Sequence, residues 1–145
     1  MRDDAKLDRL AAIPLFAEAD RRQLERVASL CTEVRVPSGR TLCREGEPGQ
    51  EFFVVEEGEA TVTVGGSDVA TLRAGDFFGE LALLDGEART ATVTATTDMQ
   101  LIVLTAGEFN GALHADPMIA VRMLPAIGRR LRAKAQAAQE RPPVV

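Results

Sequence analysis

The apolar residues of this chain change their period twice, and that change limits the folds open to it. Up to Cys31 they recur at helical spacing, from Glu33 to about Thr105 they alternate, and after Thr105 the helical spacing returns. Leu7, Leu10 and Ile13 predict a first helix that Pro14 stops. Asp20 with Gln23 three residues on reads as a capping box opening a second helix, whose stripe is Leu24, Val27, Ala28 and Cys31. In the middle, Val34–Val36, Phe53–Val55, Ala60–Val64 and Met99–Leu104 are strand-forming, and glycines at 39, 46, 49, 58, 65, 66, 75, 79 and 86 mark the turns between them. Short strands with frequent turns point to a sandwich or barrel. Gly65-Gly66 reads as a tight hairpin turn and not as a phosphate loop.

Beyond Thr105, Phe109 and Leu113 belong to one short helix, and Asp116-Pro117 opens another as cap and first-turn proline. Ile119, Met123, Leu124, Ile127 and Leu131 form its apolar stripe, with Arg129, Arg130, Arg132 and Lys134 on the remaining faces. Pro125 removes one helical hydrogen bond, so a kink or restart is expected there, and Gly128 softens the same region. Residues 139–145 read as a frayed end or the start of a linker.

Several function classes are disfavoured. The net charge of −5 opposes sequence-independent attraction to nucleic acid or anionic membrane, so an anionic ligand needs a local cationic trap. No apolar run approaches the roughly 20 residues of a membrane span, and acids near Met1 replace the apolar stretch of a secretory signal. A cytoplasmic protein is the expectation. Cys31 and Cys43 form no C-x-x-C pair and His114 is the single histidine, so neither a zinc site, a cupin-like metal centre nor a nucleophile-histidine arrangement offers itself. We therefore expect no enzyme and no cofactor.

The chemistry concentrates in residues 75–93. Glu80 and the Leu81-Ala82-Leu83-Leu84 run after Gly79 can form a turn of helix whose first N–H groups lack intrahelical acceptors, which makes an anion site. Arg89, returning after a loop with Gly86, can face that site and pair bidentately with a phosphodiester. Glu80 beside an anion needs a donor, and a ribose hydroxyl supplies one. Taken singly, Glu80 is equally a helix-dipole acid, Arg89 a surface arginine and the leucines core filler.

Their order resembles the phosphate-binding cassette of the cyclic-nucleotide-binding domain family. Phe78, Gly79, Glu80, Leu81, Ala82, Leu83, Gly86, Arg89, Thr90, Ala91, Thr92 and Val93 match its F-G-E-(L/I)-A-L and P-R-(T/A)-A-(T/S)-V pattern, with Ala88 in place of the usual proline. The likeness extends to Pro14-Leu15-Phe16, Gly39-Arg40-Thr41-Leu42, residues 45–49, residues 53–58 and residues 128–132.

The resemblance implies a mainly β fold with flanking helices: an antiparallel β-roll or jelly-roll barrel (a double-stranded β-helix), N-terminal helices and a C-terminal lid or dimer helix. It implies one domain over 1–145, with helices in 1–31, the roll in 32–105 holding a cassette at 78–93, helices in 106–139 and a tail at 140–145. In the site it implies, Glu80 accepts from the ribose 2′-hydroxyl, Arg89 binds the phosphate oxygens with the amides of Ala82 and Thr90, and Gly79 permits close approach. Ala91 belongs to the same cassette, and Val62, Leu72 and Leu81 are candidate pocket walls, for which ordinary sheet core is an equal reading. Leu131, Lys134 and Ala135 are the lid candidates. The implied function is a sensor of cAMP, with cGMP compatible through the Thr90 hydroxyl, signalling through its last helices to an unknown downstream protein and able to pair with a second copy through them. Direct nucleic-acid binding is not expected. A regulatory fragment of a transcription regulator, kinase or channel, or a non-binding interaction module of the same fold, are the alternatives.

Overall fold

The computed structural model describes residues 2–79 and 87–140, the side chains of residues 2, 3, 130, 134 and 137–140 excepted. Two helices come first, α1 (Arg2–Ala11) and α2 (Arg21–Leu30), with a 3₁₀ turn at Pro14–Phe16 between them. Eight strands follow: β1 (Thr32–Val36), β2 (Thr41–Cys43), β3 (Glu51–Glu57), β4 (Ala60–Val64), β5 (Ser67–Leu72), β6 (Phe77–Phe78), β7 (Thr92–Ala95) and β8 (Met99–Thr105). Helices α3 (Ala106–Ala115) and α4 (Met118–Glu140) end the described chain.

The strands make two four-stranded antiparallel sheets, ordered β1-β8-β3-β6 and β2-β7-β4-β5. This is the roll expected from the resemblance, as two facing sheets with no closed barrel among the described residues. β3 and β8 lie at the centre of the first sheet, and their continuous apolar runs follow from burial on both faces. Phe53, Val55, Leu101 and Val103 face the second sheet with Val36, Ala60, Val93, Ala95 and Met99. Their neighbours Phe52, Val54, Ile102 and Leu104 face the helices, packing with Leu10, Phe16, Val27, Phe109, Ile119 and Met123. The Phe16 ring meets Phe52 and Phe109 edge-on at centroid distances of 6.2 and 5.9 Å. Each such buried phenyl contributes roughly 1.5–3 kcal/mol.

Local chemistry fixes the element ends. The Asp20 carboxylate accepts from the Gln23 N–H at 2.8 Å while the Gln23 side chain accepts from the Asp20 N–H at 3.0 Å, the reciprocal cap expected from sequence. Gly65 and Gly66 form the two-residue β4–β5 turn with φ of 59° and 84°, which side-chain-bearing residues rarely adopt. The Asp116 carboxylate accepts from the Met118 N–H at 3.3 Å at the start of α4.

Two expectations are revised. α1 ends at Ala11, and Ile13 and Pro14 belong to the 3₁₀ turn that follows, because proline suits a first helical position as well as it stops a preceding helix. α4 does not restart at Pro125: it runs unbroken through that residue, which lies on the exposed face, where the carbonyl one turn back is open to solvent. Gln139 and Glu140 close the same helix, and residues 141–145 lie outside the described residues.

Candidate functional site

The short strand β6 places one wall of the site. It pairs with β3 at Phe53↔Phe78 and Val54↔Phe77, and the Phe53 and Phe78 rings stack at 4.6 Å with planes 13° apart. Gly79 follows directly, with φ of 82°. Glu80, Leu81 and Ala82, with the rest of 80–86, lie outside the described residues.

The chain returns beside the loop between β2 and β3, and that loop holds the Arg89 backbone from both sides. Ala88 bridges to Pro48, the Arg89 N–H donates to Glu47 O at 2.8 Å, and the Gly46 N–H donates to Arg89 O at 2.8 Å. With both neighbouring groups paired, proline at position 88 is not required to hold the segment in place.

The half-buried Arg89 side chain then fills a slot built from main chain and one aromatic face. Its Nη2 donates to Glu51 O at 2.7 Å, and its Cζ lies 6.0 Å from the Phe53 ring centroid. Glycines border the slot on two sides. A Cβ on Gly49 would come to 2.5 Å from Arg89 Nε and 2.7 Å from Cζ, and a Cβ on Gly79 would meet Arg89 Nη1 and lie 2.8 Å from Glu51 O. The close approach at Gly79 is thus made by the arginine and a carbonyl of the protein itself.

Beside the guanidinium lies a hollow of about 270 Å³ lined by Leu42, Cys43, Arg44, Glu47, Pro48, Gln50, Glu51 and Arg89. Burial raises the Cys43 thiol pKa, and the nearby Arg89 charge partly opposes the rise. Cys31, more deeply placed among the helices, is pushed up to about 11 by burial, with Lys6 lowering and Glu108 raising it. Both cysteines are free thiols. Among the described residues no group of three or more histidine, cysteine or acidic side chains could hold a metal, and no helix is long and apolar enough to cross a membrane.

The other residues singled out from sequence fall as follows. Thr90 is exposed and Ala91 half-buried in the bend leading to β7. Val62 on β4 and Leu72 at the end of β5 pack against the core between the sheets, and neither lines the hollow. Leu131 is 64% exposed and Ala135 is exposed on α4, so neither closes over the hollow in this structure. The Lys134 side chain lies outside the described residues. Sequence reasoning read Gly49 only as a turn and Phe53 only as a strand former, and it had no view of Glu51. Glu51 acts through its carbonyl, which no side-chain pattern reveals.

The model of the cyclic nucleotide-binding domain matches residues 33–116. That span is more than half of the chain and contains Arg89, the β3–β6 pair and the loop between β2 and β3. The chain belongs to the cyclic nucleotide-binding domain family. Among similar proteins, a cyclic nucleotide-gated potassium channel of Rhizobium etli is 39% identical over 111 residues, covering 77% of this chain and 31% of the channel. A cAMP-dependent protein kinase regulatory subunit of Schizosaccharomyces pombe is 36% identical over 105 residues, covering 72% of this chain and 26% of the subunit. The chain therefore spans about a quarter to a third of the length of these curated relatives.

Among solved structures, the N-terminal domain of a transcriptional regulator from Streptomyces coelicolor superposes with a TM-score of 0.82 at 34% identity, covering 90% of this chain and 95% of that one. The regulatory domain of Toxoplasma gondii cAMP-dependent kinase, crystallised with cAMP, gives a TM-score of 0.70 at 30% identity over 77% of this chain and 44% of that one.

Proposed function

We propose that this cyclic-nucleotide-binding domain is a cAMP sensor and not an enzyme, and that it works inside the cytoplasm as the regulatory part of a larger assembly. The observation that carries the reading is the Arg89 guanidinium seated between Gly49 and Gly79 at the edge of a hollow. An arginine held by one carbonyl and one aromatic face has little side-chain entropy left to lose and keeps N–H donors for a phosphodiester.

In this reading Arg89 pairs with the exocyclic phosphate oxygens, the amides of Ala82 and Thr90 add donors, and Glu80 accepts from the ribose 2′-hydroxyl. Val62 and Leu72, which lie outside the hollow, and Leu81 border the sugar and base where these extend beyond it, with Ala91 beside them. The cAMP bound in the Toxoplasma relative supports adenine as the base, while the exposed Thr90 hydroxyl is compatible with a guanine amino group.

For output, ligand must favour one position of the last helix over another. Ile119 and Met123 anchor the start of α4 in the helical core, and the Arg122 Nη1 donates to Glu18 O at 3.3 Å. Beyond Gly128, Leu131, Lys134 and Ala135 serve as the lid in this reading. The exposed Met118, Val121, Leu124 and Leu131 offer an apolar surface to a second copy. The downstream partner is a protein, and nucleic acid is not bound directly.

Calorimetric titration of the purified domain with cAMP and cGMP tests the reading. We expect the tighter complex with cAMP and an Arg89→Ala loss of roughly a hundredfold, from two charge-assisted hydrogen bonds. No heat with either nucleotide would refute it.

A further inference from the structure

The hollow beside Arg89 holds a second guanidinium. Arg44 lines it from the loop between β2 and β3, and the two residues are tied by the backbone, since Glu47 N–H donates to Arg44 O at 3.2 Å while Glu47 O accepts from the Arg89 N–H. The two arginines differ in their commitments. Arg89 is half-buried, bonded to Glu51 O and set over the Phe53 ring, whereas Arg44 is exposed, and among the described residues no hydrogen bond or ion pair engages its guanidinium. Arg21 pairs with Asp4 and Glu25, Arg73 with Glu59, Arg9 donates to Glu56 O and Arg122 to Glu18 O; among the described residues Arg22, Arg26, Arg35 and Arg40 are unengaged like Arg44, but of these only Arg44 lines the hollow.

An anion approaching this hollow meets a specific difficulty. The chain carries a net charge of −5, and Glu47 and Glu51 line the same hollow, so a nucleotide monoanion is repelled on approach before Arg89 can reach it. We propose that Arg44 is the capture residue of the site, an exposed cation that offsets this repulsion and sets the association rate for a cyclic nucleotide, while Arg89 sets its lifetime. This rests on the cyclic-nucleotide reading given above. The physical signature is that of steering by a solvent-exposed charge: it acts within a Debye length, it fades with added salt, and it leaves the dissociation rate alone. In water a unit charge about 8 Å from a monoanion changes an encounter rate by about two- to threefold.

The test is stopped-flow binding of a cAMP carrying a fluorophore on its base, since the chain has neither tryptophan nor tyrosine to report on binding. Wild type, Arg44→Ala, Arg44→Glu and Arg44→Lys are compared from about 0.02 M to about 1 M salt. We expect Arg44→Ala to lower the association rate about two- to threefold and Arg44→Glu about fivefold at low salt, with all differences gone at high salt. Arg44→Lys should behave as wild type, because only the charge matters, and dissociation rates should coincide throughout. A slowed association that persists at high salt, an altered dissociation rate, or an association rate indifferent to Arg44 would each overturn the assignment while leaving the nucleotide reading intact. Wild-type protein that fails to bind the labelled nucleotide would overturn both.

Discussion

Replacing Gly49 with alanine is the sharpest probe of how Arg89 is held. Gly49 is buried and its φ is not in the left-handed region, so alanine meets no backbone strain there. The whole cost is steric. The new Cβ would stand 2.5 Å from Nε, 2.7 Å from Cζ and 2.8 Å from Cδ of Arg89, and these are atoms of a long side chain that can withdraw. Relief of the overlap needs a shift of about 1 Å, enough to break the bond to Glu51 O and to misalign the fork for a phosphodiester. Losing that half-exposed bond costs about 1 kcal/mol of stability, or about 2–4 °C in Tm. Losing two charge-assisted bonds to ligand costs about 3 kcal/mol, or roughly a hundredfold in Kd. Calorimetry with cAMP on Gly49→Ala, Arg89→Ala and the double variant measures the coupling: if Gly49 acts through Arg89, the alanine at 49 should add nothing once the arginine is gone. A Gly49→Ala protein that binds as wild type, or a double variant in which the two losses simply add, would refute the reasoning.

Two further predictions concern stability. Asp20→Ala removes one half of the reciprocal cap on α2 and should cost about 1 kcal/mol, read as a fall of about 2–4 °C in thermal melting, with an unchanged Tm counting against the cap. The Cys31 thiol is raised from 9.0 to about 11 in the folded protein, so the unfolded chain loses its proton first as pH rises. The associated stability is therefore whole below about pH 9 and is lost through pH 11 at up to about 1.4 kcal/mol per pH unit. Denaturant melts of wild type and Cys31→Ala across that range should differ in slope, and parallel slopes would show that this thiol does not titrate as described.

Much of the architecture is legible in the sequence where a single physical rule decides. The Asp20–Gln23 spacing specifies a cap whatever surrounds it, and Gly65-Gly66 between β-branched runs specifies a two-residue turn. The uninterrupted Phe52-Phe53-Val54-Val55 run carries the message that β3 is covered on both faces. The short strands β2 and β6 are harder to see, because three- and two-residue segments show no period and exist only through their partners. Pro125 decides less than its letter suggests: of the two outcomes it allows, the restart does not occur, because a carbonyl left without its partner is tolerated where it is open to solvent, which is a matter of tertiary placement. In the site, side chains suited to an anion are visible as letters, whereas the carbonyl of Glu51 and the absence of a Cβ at Gly49 act through backbone position and carry no signal of their own.

Phe52 and Phe53 are adjacent in β3 and point to opposite sides of one sheet, the first into the helices against Phe16 and the second beneath Arg89. A single peptide group thus separates the ring beneath the Arg89 guanidinium from the packing that seats the first and last helices. The route from the guanidinium to the helical layer is therefore two residues long, and side chains that differ at Phe52 or Phe53 change both ends of it.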